Sequence, residues 1–475
     1  MRRLRTLALG SSVALLALTA CRTDESSGSV QPIDAVAAAS SATAADDVTT
    51  ATVAAASAAA STDAASTTAT ATATAQDWNT AAEVLVALTG DGAEVSGADL
   101  SGVDVEGSFV EITAPGTYRI TGTLIDGNVE IDAEVDGLVR IVLDDVDITS
   151  STTSPLAVVK ATEAIVVLAD GSTNVLTDAA TYVYPDAETD EPNAALFSDD
   201  DLTITGNGSL EVHANFADGI VGKDHLTISS GTIAVTAVDD GIRGNDSLVV
   251  DGGTIAVAAG GDGLKSDTEL VVNGGVIDVQ QSYEGLESTA ITIAGGEISV
   301  VASDDGINAA SDNGSPTLTI TGGNTSVDAQ GDGLDVNGSI TMTGGTMIVN
   351  GPTQDMNGAL DYDGAFDISG GVLVATGSPG MAMAPSADSA QLSLLSVFST
   401  QQAGSTVTIT SSNGQEIVSF TPSKAFGSIT VSTADLTAAD SYDVAIDGTV
   451  VDTTTTAEAA SQGGPGGGSG GGRRP

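Results

Sequence analysis

The sequence predicts an all-β protein: a parallel β-helix of about 22 residues per coil, completed by a small C-terminal β module. Three observations predict it. A 22-residue repeat runs through the middle of the chain. No segment of that repeat has the i, i+3, i+4 apolar spacing of an amphipathic helix. Each period divides into three strands of three to five residues at glycine- or aspartate-bearing turns. About 22 residues at roughly 3.3 Å each, broken into three strands, suit one turn of a β-helix.

The repeat is read from three phrases. Asp-Gly-Ile or a near variant begins at Asp218, Asp240, Asp262, Glu284, Asp305 and Asp332, at intervals of 22, 22, 22, 21 and 27 residues. A glycine followed by a short apolar strand begins at Gly231, Gly253, Gly275 and Gly296 and continues at Gly323, Gly345 and Gly371. A third phrase begins at Leu226, Leu248, Leu270, Ile291, Leu318, Ile340 and Phe366. Within Thr232-Ile-Ala-Val, Ile233 and Val235 share parity and point inward while Ala234 faces out. One coil cannot bury its own apolar side, so stability comes from stacking like residues above like.

Upstream, Val139–Leu143, Val146–Ile148 and Ile165–Leu168 fit earlier coils, about a dozen in all over 104–380. Residues 78–124 are expected to begin the helix and cap it. The helix is assigned to 78–390. Beyond it the period is lost, and Ser405–Thr410, Ser428–Val431 and Asp443–Ile446 suggest an antiparallel module over 391–452. Such a module would cover the edge that a last coil leaves unpaired.

The ends read differently. Arg2, Arg3 and Arg5 precede an apolar stretch too short to span a bilayer, the layout of a secretory signal over 1–20. Leu18-Thr19-Ala20-Cys21 resembles the bacterial lipoprotein box, in which Cys21 is acylated. Cys21 is the only cysteine, so no intramolecular disulfide forms. An Ala/Ser/Thr-rich linker fills 21–77 and a glycine-rich tail 453–475; both read as flexible tethers. The expectation is an extracytoplasmic protein on the cell surface, held to the membrane by its lipid alone.

Charge narrows the partners. The chain carries 64 Asp and Glu against 13 Lys and Arg, a formal net charge of −51. Between residues 100 and 460 the bases are Arg119, Arg140, Lys160, Lys223, Arg243, Lys265 and Lys424. They form no basic groove, and nucleic acid is excluded as a partner.

The acids recur in register. Stacked coils lie about 4.8 Å apart, so each motif acid sits about that far from the next. In water such a neighbour repels by roughly 1 kcal/mol, and by several times that beside protein. A column of this kind calls for splaying, protonation or a bridging cation. Calcium, with oxygen ligands at roughly 2.3–2.6 Å, matches the spacing. The candidate metal ligands are the motif acids Asp218, Asp240, Asp262, Glu284, Asp305 and Asp332, with Asp239 and Asp304 just before the motif and Asp224, Asp246 and Asp267 just after it. Hard oxygen donors without His or Cys clusters point to Ca2+ rather than zinc. The competing reading makes these acids turn formers that accept backbone N–H bonds beside a glycine. Gly260-Gly-Asp-Gly suggests nine-residue calcium repeats, but no period of nine recurs.

Arg243 and Lys265 hold the same position in successive coils, three residues after the motif acid, with Glu287 next. They form either a surface charge ladder or a pair of cations for a carboxylate or hydroxyl of a sugar chain. Tyr283 is the candidate platform for a sugar ring.

Several stretches resemble a family of bacterial carbohydrate-binding β-helix lipoproteins. They are Asn193–Ile204, Val238–Leu248 with its Asp-Asp-Gly-Ile-Arg core, Gly260–Asp267, Ala114–Leu124 and Leu143–Ser150. The resemblance covers roughly residues 80–450. It implies a right-handed, pectate-lyase-like helix that binds calcium and cell-wall polysaccharide, including acidic sugars, without catalysis. Departures at Glu284-Gly-Leu and at Asn357-Gly-Ala put metal binding at those coils in question.

A non-catalytic polysaccharide-binding module is therefore the first expectation. A calcium-dependent polysaccharide lyase is the alternative, with Arg243 or Lys265 as base. A calcium-stiffened surface adhesin is a third. His213 and His225 show no partner pattern.

Overall fold

The computed structural model describes residues 78–456 apart from 98, 187, 312, 313 and 439. The signal sequence, Cys21, the 21–77 linker and the chain from 457 onward lie outside the described residues.

The chain winds through about 11 turns averaging about 24 residues. Each turn lays one strand on each of three faces. On the first face lie Asp218–Gly222, Ile242–Gly244, Leu264–Lys265, Leu286–Ser288, Ile307–Ala309, Leu334–Val336 and Leu360–Tyr362. The second face carries His225–Ile228, Ser247–Val250 and their successors, the third Thr232–Ala237, Thr254–Ala259 and theirs. All of these strands pair in parallel with the same face of the neighbouring coil. The 22-residue period is the bare coil. The longer mean comes from insertions at 178–193, 310–316 and 351–359, each at a corner between strands.

The bore is filled by columns of like residues. Ile233 pairs with Ile255 and Ile255 with Ile277; Val235 pairs with Val257 and Val257 with Val279. All are at most 3% exposed. One continuous apolar core runs from Val84 to Ala375. At roughly 25 cal/mol per Å² of apolar surface, the stabilisation accrues from each coil covering the next.

Two glycine positions explain the repeated phrases. The residue after the motif acid faces the third-face valine, and a Cβ at Gly241 would lie 2.3 Å from Val257 Cγ1. The glycine opening the third-face strand makes a left-handed turn, with φ of 94° at both Gly253 and Gly275.

Upstream, the segments expected as Val139–Leu143 and Val146–Ile148 form one strand, Leu138–Thr149, bent across two faces. At the bend Asp145 has φ 57°, and its Oδ1 accepts the Thr173 N–H at 3.0 Å. Capping at the N-terminal end comes from an antiparallel hairpin, Val84–Gly90 with Ala93–Gly97, whose first strand runs parallel to Gly116–Leu124. At the other end Val372–Gly377 pairs antiparallel with Phe426–Ser432, which also pairs with Ser393–Gln401. A separate four-stranded antiparallel sheet contains Val407–Ser411, Glu416–Phe420, Ser441–Ile446 and Thr449–Thr455. The last coil therefore presents a paired edge.

Candidate functional site

The first face positions the site. Its strands alternate, so Ile220, Ile242, Leu264, Leu286, Ile307, Leu334 and Leu360 point inward and are buried. The next residue in each strand points outward. Strand register aligns these outward residues as Val221, Arg243, Lys265, Glu287, Asn308, Asp335 and Asp361. One outward column thus passes from apolar through basic to acidic. The motif acids form a second column at the start of the same strands.

Within the motif column each carboxylate reaches forward one coil. Oδ1 of Asp218 accepts the Asp240 N–H at 3.1 Å, Oδ1 of Asp240 the Asp262 N–H at 2.9 Å, and Oδ1 of Asp262 the Glu284 N–H at 3.2 Å. The link recurs from Asp305 to Asp332 at 2.6 Å and from Asp332 to Gly358. The turn-forming role is therefore present, but it uses one carboxylate oxygen and leaves the other. Gly358, not Asn357, occupies the acid position of the last coil, because Leu334 pairs with Leu360.

The remaining oxygens meet different surroundings along the column. Asp218 Oδ2 accepts from Asn193 Nδ2 at 3.0 Å. Asp240 Oδ2 lies 3.6 Å from Arg243 Nη1 and 3.8 Å from Lys265 Nζ. Lys265 Nζ is 2.5 Å from Asp262 Oδ2 and 2.5 Å from Glu287 Oε2. Although burial disfavours its charge, the bonds to Asp262 and Glu287 outweigh it and raise the Lys265 pKa. Arg243 also reaches Asn245 Oδ1 at 2.9 Å and Asp267 Oδ1 at 3.2 Å. Both cations are thus committed to carboxylates of their own chain.

Among the described residues, no cationic side chain reaches the next cluster. Asp305, Asp332 and Asp335 bring carboxylate oxygens within 4.8 Å of one another. Burial pushes the Asp335 carboxyl up to about 7, with Asp305 and Asp332 adding to the shift. Asp332 rises to about 6, again through burial first. Asp361 adds its charge to both. Asn308 stacks between Glu287 and Asp335 and is 8% exposed. Its Nδ2 donates to Glu284 Oε2 at 2.7 Å, while its buried Oδ1 has no hydrogen-bond partner among the described residues. Three carboxylates and an orphaned amide oxygen are a hard-oxygen donor set of the kind Ca2+ takes.

Asp262, Glu284 and Glu287 form the other metal-capable group among the described residues. Burial pushes both glutamates to about 7. Of the other expected ligands, Asp239 and Asp304 flank the column: a Cβ at Gly331 would lie 2.5 Å from Asp304 Oδ1 and 2.4 Å from Asp305 Oδ1. Asp224, Asp246 and Asp267 are exposed and fall in neither metal-capable group. Tyr283 is 50% exposed, and its phenol bonds the Asp304 carboxylate, which pushes it up to about 12. Asn308, Asp335 and Asp361 escaped the sequence reading, although they continue the offset of three already visible in Arg243, Lys265 and Glu287.

Fold and site together define an acid-edged parallel β-helix. The family model described as carbohydrate-binding domain-containing protein matches residues 106–347, half of the chain, and the chain belongs to that family. A carbohydrate-binding domain-containing protein of Acetivibrio thermocellus is 38% identical over 128 residues, which are 27% of this chain and 45% of the relative. The chain thus spans less than half the length of that curated relative. A solved structure of a polysaccharide lyase-like protein from C. thermocellum, a gadolinium derivative, is 32% identical with a TM-score of 0.45. That match covers 54% of this chain and 96% of the other.

Proposed function

We propose that the protein binds polysaccharide without cleaving it, through Ca2+ held at Asp305, Asp332, Asp335 and Asn308. Family membership supports the carbohydrate partner. The observation that carries the metal is the unpartnered Asn308 Oδ1 in the column beside three converging carboxylates. A bound calcium would supply positive charge on an otherwise acidic face, where a uronate carboxylate could complete its coordination. Tyr283, half exposed and one coil earlier, offers a ring face to the adjoining sugar. The signal sequence and Cys21 support an exported, lipid-tethered form of this binder.

The lyase alternative requires a neutral base. Lys265, its pKa raised by two carboxylates, stays protonated, and Arg243 is bonded to Asn245 and Asp267. A glycan array probed with and without calcium tests the binding reading, with acidic cell-wall glycans retained only when calcium is present. Unsaturated ends absorbing in the ultraviolet, released from polygalacturonate with calcium, would replace binding by cleavage.

A further inference from the structure

Lys265 sits among three carboxylates. Its Nζ lies 2.5 Å from Asp262 Oδ2 and 2.5 Å from Glu287 Oε2, and 3.8 Å from Asp240 Oδ2. Carboxylates of Asp262, Glu284 and Glu287 converge within 4.8 Å, the same closeness that marks the cluster at Asp305, Asp332 and Asp335. The two clusters differ in the outward residue of the coil. Glu287 and Asp335 hold equivalent places in the two, but the residue before them in the outward column is Lys265 at the first and Asn308 at the second, an ammonium against an amide.

We infer that the Lys265 ammonium is a tethered replacement for a divalent cation, so that the column is divided into a half neutralised by its own side chains and a half that takes metal. Arg243 extends the tethered half by one coil through Asp240 and Asp267. A covalently held cation cannot be chelated away, diluted or exchanged. The coils from Asp218 to Glu287 therefore keep their geometry without calcium, whereas the coils from Asp305 to Asp361 depend on it. Asn308 marks the boundary: its Nδ2 serves Glu284 on the tethered side, and its Oδ1 has no hydrogen-bond partner among the described residues. The inference deepens the calcium reading above and rests on it only for the metal-dependent half.

The test is a count of calcium ions by isothermal titration, with calcium alone as the probe. Removing the tethered charge in Lys265→Met should expose the Asp262 cluster and add one ion per chain. That variant's melting temperature should also rise on adding calcium by more than the parent's does. Asp262→Asn and Glu287→Gln, made in the parent, should leave the count unchanged because no metal sits there. An unchanged count in folded Lys265→Met overturns the inference, as does loss of an ion in either single variant. Should Lys265→Met fail to fold, the two conservative variants decide alone. If the parent binds no calcium but Lys265→Met binds one, the tethered cation stands and the proposal for the Asp305 cluster falls.

Discussion

Asn193 and Asp218 make one hydrogen bond and leave a second unmade. Nδ2 of Asn193 donates to Oδ2 of Asp218 at 3.0 Å, while the buried Asn193 Oδ1 has no hydrogen-bond partner among the described residues. Asp218 is 3% exposed, and its Oδ1 is taken by the Asp240 N–H. Burial first, and then the charge of Asp240, push its carboxyl up to about 7. With the Asn193 amide turned over, a protonated Asp218 donates its Oδ2–H to that amide's oxygen.

This pair predicts a pH dependence. The folded pKa lies above the ordinary carboxylate value of 3.8, so the stability it contributes is fully present below about pH 4 and is lost as pH rises through about 7. A shift of this size corresponds to about 4 kcal/mol as an upper bound. Asp218→Asn removes the titration and keeps the shape. It should be more stable than the parent at pH 8 by ~1–3 kcal/mol and nearly equal at about pH 3.5, below the unfolded pKa. Urea denaturation at the two pH values measures both differences, and equal differences would refute the linkage.

Much of this was legible in the sequence because a β-helix converts a fixed period directly into a column. Ile233, Ile255 and Ile277 are spaced by 22 residues and stack as the spacing predicts. The reading stopped where the period did. Asp305 and Asp332 are 27 residues apart because 310–316 is inserted between two strands, and 351–359 displaces Asp361 in the same way. Asp335 is invisible as a neighbour of Asp305 until strand pairing restores the alignment. Lys265 posed a different difficulty. Its position was clear from spacing, but its commitment to Asp262 and Glu287 depends on side-chain reach, which spacing does not encode.

The proposed calcium site predicts a contrast between acids that look alike in the sequence. Asp335→Asn removes a carboxylate from the Asp305 cluster and should weaken calcium affinity by about ten- to a hundredfold. Asp224→Asn changes an exposed acid outside both clusters and should leave affinity within about twofold. Because coordination requires the ionised carboxylates, the parent's affinity should fall as pH drops below about 7, where Asp335 takes up a proton. Titration calorimetry on the three proteins at pH 8 and pH 6 checks this, and equal losses in the two variants would argue for diffuse charge rather than a site.

The glycine after the motif acid predicts a large loss from the smallest side chain. In Gly285→Ala the added Cβ would lie 2.2 Å from Val300 Cγ1 and 2.3 Å from the Gly306 carbonyl oxygen. The backbone oxygen cannot rotate away, so the coil must shift at a cost of about 2–4 kcal/mol. Each coil is stabilised mainly by its neighbours, so the loss should appear as earlier proteolysis near residue 285 as well as a lower melting temperature. A melting temperature within a degree of the parent's would show that the coils slide apart more easily than this packing implies.

The N-terminal cap predicts the opposite pH sign from Asp218. Glu83 is buried and receives Arg119 through two bonds, Nε to Oε2 at 2.8 Å and Nη2 to Oε1 at 3.0 Å, together with Trp78 Nε1 at 2.7 Å. Arg119 is the largest influence and lowers the Glu83 pKa despite burial. The pair's contribution is therefore present above the ordinary glutamate pKa of 4.5 and is lost as pH falls through the lowered value. Arg119→Met leaves a buried carboxylate unpaired and should cost about 3 kcal/mol at pH 7. The cost should shrink as pH approaches 3, where the orphaned Glu83 is neutral in the variant. Denaturation at pH 7 and pH 3 separates this from a packing role for the arginine stem, which would give the same loss at both. Adding Glu83→Gln to Arg119→Met should recover most of the stability at pH 7, since the burial penalty falls on the charge and not on the side chain that carries it.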